Sequence, residues 1–396
     1  MRTVLFILSI AFCVTTRAQS SDSIIAQALC KEGVTFTHDN KVTLLTNGQE
    51  KFDDLFKAIE QAKSSVHLEY FNFRNDSIAS LLFQLLERKA SEGVEVRALF
   101  DAFGNASNNR PLKKRHIDSI RAKGIEIYKF DPITFPWVNH ALSRDHRKIV
   151  VIDGEVGYTG GMNVADYYIK GTKQVGKWND MHCRIEGLAV NTLQSIFLKM
   201  WNKTAKQNVH GSKYFRGHRS RDYIEGLNPD TCDSAGHKTV GMINREPRIS
   251  NKIIRDFYVE AINAARDSLK IINPYFTLNR GIKKALRNAI HRGVKVEIML
   301  STSSEPPARI KIIGQPQSQL VNSTTLSKKC SNILFPPISR RLSWRLCLTC
   351  HFLLFLWYDS LRLLYRLPIF YIYTTSRPTT QGPLCVEINS VSPAKL

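Results

Sequence analysis

Acidic residues are the scarce class in this chain of 396 residues. Asp and Glu number 34 against 56 Lys and Arg, for a formal charge of +22. That balance favours polyanionic partners, either anionic lipid headgroups or nucleic acid, and does not choose between them. Long apolar runs are also missing: mean hydropathy is −0.22, so most of the chain is soluble. The apolar stretch in residues 1–19 (MRTVLFILSIAFCVTTRAQ) falls short of the ~20 residues that a membrane span needs. Its positive start, apolar middle and small, polar end predict a secretory signal, either cleaved after Ala18 or Gln19 or kept as a marginal anchor. Cysteines are few and scattered. Beyond Cys13 they are Cys30, Cys183, Cys232, Cys330, Cys347, Cys350 and Cys385, an odd, scattered set that identifies no pairs and argues against a disulfide framework.

What is present is concentrated between His146 and Asn163 (HRKIVVIDGEVGYTGGMN). Ile149 to Ile152 form an apolar, β-branched run that suits a buried strand. Residues two apart on a strand share a face, so His146 and Lys148 reach one pocket. Asp153-Gly154 turns the chain, and a second apolar strand runs into Gly160-Gly161, where backbone can approach a ligand. Asn163 follows with an amide able to hold an oxyanion. Imidazole, ammonium, amide and bare backbone N–H groups at one strand edge suit a phosphodiester: the imidazole attacks phosphorus or moves a proton, and the others hold the negative oxygens.

Upstream, the pattern alternates. Val42 to Leu45 reads as a strand, Phe52 to Lys63 as an amphipathic helix, Ser65 to Phe73 as a strand, Ile78 to Ala90 as a helix and Gly93 to Asp101 as a strand. This predicts an α/β fold, a mixed or parallel sheet covered by helices. Glu69 either orients a catalytic histidine or is a surface carboxylate. Arg110, Lys113, Lys114, Arg115 and His116 read as a solvated helix end more readily than as a lipid site. Phe135, Pro136 and Trp137 either dip into an interface or pack over the pocket. Downstream, Trp178-x-Asp180-x-His182 precedes a helix from Val190 to Trp201, and the basic stretch to residue 235 reads as a linker.

The series H146-x-K148-x4-D153, G160-G161-x-N163 and W178-x-D180-x-H182 resembles the phospholipase D superfamily, and most closely its bacterial, cardiolipin synthase-like branch. The resemblance implies a phospholipase D-like two-lobe fold of mixed sheets flanked by helices. It implies phosphatidyl transfer from one phosphatidylglycerol to another, with glycerol released, through a phosphohistidine. His146 would be the nucleophile, with Lys148 and Asn163 on the phosphate oxygens and Gly160 and Gly161 allowing approach. Asp153, the third member of the catalytic motif, would orient or structurally anchor it, and Asp180 and His182 would be supports. No metal or cofactor is called for, since Lys and His supply the positive field. The implied partner is anionic phospholipid at a membrane surface, and the implied location is exported or membrane-associated, on the periplasmic side of the inner membrane. The rival readings are an exported nuclease and an inactive protein that binds anionic lipid.

The second half starts over. Ala58-Ile to Val66 is echoed by Ala261-Ile to Leu269, the helix from Ile78 by one from Ile282, and Gly93-Val-Glu-Val by Gly293-Val-Lys-Val, each about 200 residues on. A second motif is therefore expected near residue 346. The nearest histidine, His351, is followed by Leu353 and Tyr358 where Lys and Asp belong, and no later histidine exists. From Ser304 the texture also changes: only Glu305, Asp359 and Glu387 remain as acids. The tail reads either as an interfacial segment over Leu346 to Tyr373 or, preferred, as sequence out of register with the repeat, as a frameshift produces. Cys347-x-x-Cys350-His351 fits haem attachment, but the pattern is short and lies in that tail. The expected organisation is a signal at 1–19, a first lobe at 40–202, a basic linker at 203–235, a partial second lobe at 236–304 and a degenerate tail at 305–396.

Overall fold

The computed structural model describes residues 21–132, 144–173, 176, 178–217, 237–247, 252–273 and 278–299, with the backbone of 371–375 and 384–387. The signal, the Phe135–Trp137 loop and the Cys347–His351 pattern lie outside the described residues.

Helix α1 (Ser21–Lys31) comes first, then β1 (Phe36–Leu45), α2 (Gly48–Glu60), β2 (Ser65–Tyr70), α3 (Ser77–Ser91) and β3 (Glu95–Asp101). The short α4 (Ala102–Ala106) and α5 (Lys114–Ala122) lead to β4 (Glu126–Phe130). The motif region supplies β5 (Ile149–Ile152), β6 (Val156–Gly160), α6 (Tyr167–Lys170), β7 (His182–Glu186) and the long α7 (Ala189–Ala205). The second half contributes β8 (Lys238–Ile243), α8 (Ile253–Ala264), β9 (Ser268–Ile272), α9 (Arg280–His291), β10 (Lys295–Met299), β11 (Tyr371–Thr375) and β12 (Leu384–Glu387).

Nine strands form one mixed sheet in the order β12-β8-β1-β7-β6-β5-β2-β3-β4. The predicted α/β layering is therefore present. Both faces are covered. Val150 and Ile152 point into the larger core with Phe52, Leu55 and Ile59 of α2 and Leu82 and Leu86 of α3. Ile149 and Val151 point the other way, onto Val190, Leu193 and Ile196 of α7. That two-sided burial is why β5 is apolar at every position rather than alternating.

A second sheet has the order β10-β9-β11. Its parallel pair repeats the first lobe: Ser268 pairs with Lys295 as Ser65 pairs with Glu95. The helix between them is capped the same way, by Asp76 before α3 and Asn279 before α9. The duplication read in the sequence is thus present in strand register.

Three features add to the sequence expectations. The first part of the stretch read as a linker packs back on the first lobe: Trp201 Nε1 donates to Gln207 Oε1 at 2.8 Å, Val209 N donates to Asn202 Oδ1 at 2.8 Å, and Tyr214 is buried. Helix α1, unmarked in the sequence reading, docks on α8, where Ser21 Oγ donates to the Ala264 carbonyl at 2.7 Å. Finally, β11 lies antiparallel on β9, as β5 lies on β2. Tyr371 faces Ile272 where Ile149 faces Glu69, so the second-lobe counterpart of β5 begins at residue 371, not near 346. Pro368, Phe370 and Thr375 stand in sequence where His146, Lys148 and Asp153 stand in the first lobe. The basic cluster runs from the loop before α5 into its first turn: Arg110, Lys113, Lys114 and Arg115 are exposed, His116 is half-buried, and Lys114 Nζ lies 2.6 Å from Asp118 Oδ2.

Candidate active site

The strand ends that carry the motifs meet at one edge of the large sheet. Gly160 pairs with His182 across β6 and β7, and Leu45 pairs with His182 from the other side. Ile149 pairs with Thr159 and with Glu69, so one further step in register sets Lys148 between Gly160 and Tyr70. By the two-residue period of a strand, His146 and Lys148 fall on the α2 and α3 face with Val150, and Arg147 falls on the α7 face with Ile149.

His146 and Lys148 are in direct contact. Lys148 Nζ lies 2.8 Å from His146 Nδ1 and 3.2 Å from Nε2, and it donates to the His146 carbonyl at 2.7 Å. Both are closed off, at 2 % and 1 % exposure. Burial drives the Lys148 amine down to about 7, although the carboxylates of Asp180, Asp145 and Asp101 pull the other way. Burial, then the Lys148 charge, holds His146 well below its ordinary value, so the imidazole is neutral. An arriving phosphodiester anion would favour the ammonium form of Lys148 and set positive charge on the oxygens beside a neutral nucleophile.

The backbone before the pair is tied to β3. Asp145 N donates to Asp101 Oδ2 at 2.9 Å, and Arg144 reaches Asp101 at 3.5 Å and Asp131 at 2.6 Å. Burial lifts Asp101 to about 6 against these partners. On the opposite face, Arg147 Nε is 2.7 Å from Glu69 and 2.9 Å from Asp145, and its Nη1 donates to Asn244 Oδ1 at 3.2 Å. A cavity of about 160 Å³ opens there between Arg147, Ile196, Lys199 and Glu246.

Glu69 is therefore neither a histidine-orienting group nor a surface carboxylate. It is buried with Arg147 on the face away from His146. Burial and the adjacent Asp145 raise its affinity for a proton, while the Arg147 charge overcomes burial to keep Asp145 ionised.

Asp153 bonds the backbone leading into β2. It sits at the far end of β5 with φ 55°, and its carboxylate accepts from Lys63 N at 2.8 Å, Ser64 N at 2.7 Å, Ser64 Oγ at 2.8 Å and Ser65 N at 2.9 Å. Those bonds pin β5 to β2. They leave no route by which this carboxylate touches the histidine at the opposite end of the strand.

The paired glycines admit a neighbour rather than a ligand. A Cβ on Gly160 would fall 2.6 Å from His182 Nδ1 and 2.6 Å from the Met181 carbonyl oxygen. Gly161 N donates to that same carbonyl at 2.9 Å, so its N–H is committed to β7 and not to a phosphate. His182 itself is buried, and burial followed by the charges of Lys51 and Lys148 keeps it neutral. Apart from a contact with the Met181 backbone, its ring nitrogens have no hydrogen-bond partner among the described residues. Asp180 is half-buried, and its charge acts on both lysines. Asn163 is buried, and its amide oxygen makes no hydrogen bond among the described residues, so the fold does not consume that end of the side chain.

Lys51 is the functional candidate that the sequence reading missed. It is fully buried on α2, and its Nζ donates to the carbonyls of Met162 at 3.2 Å and Asn163 at 3.0 Å. The ammonium also lies 4.3 Å from the Phe52 ring centre and 4.9 Å from that of Tyr70. It fixes the loop that presents Asn163. The signal was available: position 51 falls on the apolar stripe of α2 with Gly48, Leu55 and Ala58, where a lysine is out of place.

Comparison with known proteins agrees with this geometry. A family described as cardiolipin synthase, PLD-like domain, matches residues 55–201 and 258–335. The chain is 33 % identical over 70 % of its length to a cardiolipin synthase of Listeria monocytogenes, covering 54 % of that protein. It is 35 % identical over 72 % of its length to cardiolipin synthase 2 of Staphylococcus epidermidis, covering 55 %. It thus spans about half the length of the curated relatives it matches. In fold it is similar to the crystal structure of phosphatidylserine synthase from Haemophilus influenzae, with a TM-score of 0.50, 14 % identity and coverage of 70 % of this chain and 65 % of that one.

Proposed function

The chain belongs to the family of cardiolipin synthases with a PLD-like domain, and from that premise we propose that it is a phosphatidyltransferase of the phospholipase D type. The substrate is phosphatidylglycerol at a membrane surface, and the product is cardiolipin with release of glycerol. His146 attacks phosphorus, the P–O bond to the leaving glycerol breaks, a phosphatidyl-histidine forms, and the departing alkoxide takes a proton from water. A second lipid hydroxyl then displaces the histidine and passes its proton to the hydroxide so formed. Lys148 holds the phosphate oxygens. Asn163 adds an amide on the loop that Lys51 positions, while His182 at the start of β7 and Asp180 just before it support the pair. The observation that carries this reading is the 2.8 Å contact between a neutral, buried imidazole and a buried amine beside it.

The first lobe supplies one histidine. The second lobe has Pro368 and Phe370 at the corresponding sequence places, so the partner that would protonate the leaving alcohol is missing. Loss of one member of a cooperating pair costs about 10⁴-fold or more in rate, so turnover is expected to be far below that of two-motif relatives. The test is conversion of phosphatidylglycerol vesicles to cardiolipin, with His146→Ala as control and a plasmid-nicking assay beside it. Cardiolipin from the wild type alone supports the proposal. Nicking without cardiolipin would make the chain a nuclease, and neither product would leave it a lipid-binding protein at most.

A further inference from the structure

Helix α9 is electrostatically unlike the other helices among the described residues. Its inner side is ordinary: Ile282, Ala285, Leu286 and Ala289 are buried against α8 and β9. Its outer side carries Arg280, Lys283, Lys284, Arg287 and His291, all exposed. At 100° per residue these five fall within roughly 100° of arc, in a row about 16 Å long. No acidic residue occurs in the helix, and none of the five forms an ion pair among the described residues.

The arrangement works against the helix itself. Arg280 neighbours Lys283 and Lys284 at three and four residues, and both lysines neighbour Arg287, so like charges repel along the row. Three of the cations also lie in the first turns, where the helix dipole disfavours positive charge. The counterpart in the first lobe shows the ordinary solution. Helix α3 carries its cations, Arg88 and Lys89, in the last turn and pairs them with Glu60 and Glu92. The row on α9 is nevertheless held rigid. Asn279 caps one end by accepting from Ile282 N at 3.0 Å, and Arg292 ties the other end to α8 through the carbonyls of Asn263 at 2.9 Å and Ile262 at 3.2 Å.

We infer that the outer face of α9 is the surface by which this protein rests on an anionic lipid bilayer. A sheet of lipid phosphates cancels the repulsion along the row and meets it over its whole length. Phosphate headgroups need only positive charge, and α9 offers that alone. Apart from His291 in its last turn, the row has no aromatic side chain on which a nucleic acid base could stack, and the successive stacking rings of a strand-binding groove are not there. The inference names the docking surface for the reading given under Proposed function and rests on it for the identity of the lipid. It does not need the chemistry at His146.

The test is flotation of the full chain with vesicles of phosphatidylcholine, with and without phosphatidylglycerol, across a salt series. The wild type should bind only the vesicles that contain phosphatidylglycerol, and binding should weaken as salt rises, because exposed charges are screened. The charge reversal K283E/K284E/R287E should bind at least tenfold more weakly, and K283Q/K284Q/R287Q should fall between. Both alter exposed positions, and an unchanged thermal melt checks that they fold. His146→Ala should bind as the wild type does even where cardiolipin synthesis is lost, which separates the surface from the reaction. The inference is overturned if the reversed protein binds as tightly as the wild type, or if binding ignores the phosphatidylglycerol content. It is also overturned if the substitutions weaken binding of a single-stranded oligonucleotide and leave vesicle binding intact.

Discussion

The two lobes begin alike and end differently. In both, a parallel strand pair flanks a capped helix, with the same register at its first residue: Ser65 on Glu95 and Ser268 on Lys295. In the first lobe the antiparallel strand that joins next follows directly on His146 and Lys148, and Asp153 bolts it to residues 63–65. In the second lobe the strand in that place is preceded by Pro368 and Phe370 and ends at Thr375. The strand pairing is thus repeated, while the sequence at those places does not repeat His146, Lys148 and Asp153. Sheet and helices are specified by apolar periodicity spread over many residues, whereas the site depends on a few side chains at one strand edge.

The largest effect should come from exchanging histidines between the lobes as targets. His146→Ala should lower cardiolipin formation by about 10³-fold or more, and His351→Ala should leave it unchanged, both measured as initial rates on phosphatidylglycerol vesicles. A loss at His351 would restore chemistry to the second lobe and break the comparison.

That contrast was legible in the sequence, because the echo of Ala58-Ile by Ala261-Ile and of Gly93-Val by Gly293-Val fixed the period and exposed the missing motif. The common face of His146 and Lys148 was legible too, from strand periodicity alone. The position of the defective strand was not. A count of about 200 residues assumes loops of equal length, and the strand on β9 begins at Tyr371. The partners of Glu69 and Asp153 were hidden for another reason: Arg147, Asp145 and the backbone of Lys63 to Ser65 are brought to them by sheet pairing across long sequence separations.

Arg147 should matter more to stability than any other charged residue in the first lobe. Arg147→Met leaves Glu69 and Asp145 buried together without their cation and should cost about 3–5 kcal/mol, read from urea unfolding. A loss below about 1 kcal/mol would show that the cluster is solvated.

Lys51 sharpens the comparison at the level of rate. Lys51→Met frees the Met162 and Asn163 carbonyls and lets the Asn163 loop drift, with an expected fall of about 10²-fold in kcat. Binding to phosphatidylglycerol vesicles should be unchanged.

Lys148 should trade stability against function. In the folded protein its amine titrates at about 7, and in the unfolded chain at about 10.4. Between those values the unfolded chain binds the proton that the folded chain has lost, so Lys148 makes the protein more stable as pH rises through that window and less stable below it. Lys148→Met should therefore raise stability at pH 7 by about 1 kcal/mol, flatten the rise of stability between pH 7 and 10, and abolish transfer. In the wild type, affinity for the phosphodiester should fall as pH climbs above about 7, because the free amine no longer holds the anion.

The most direct measurement is capture of the covalent step. The full chain is mixed with phosphatidylglycerol, quenched in alkali and digested, and the peptide that spans His146 is examined by mass spectrometry. A phosphatidyl adduct on His146 that is absent from His146→Ala is the predicted result. An adduct on a different residue, or none on His146 while cardiolipin accumulates, would contradict it.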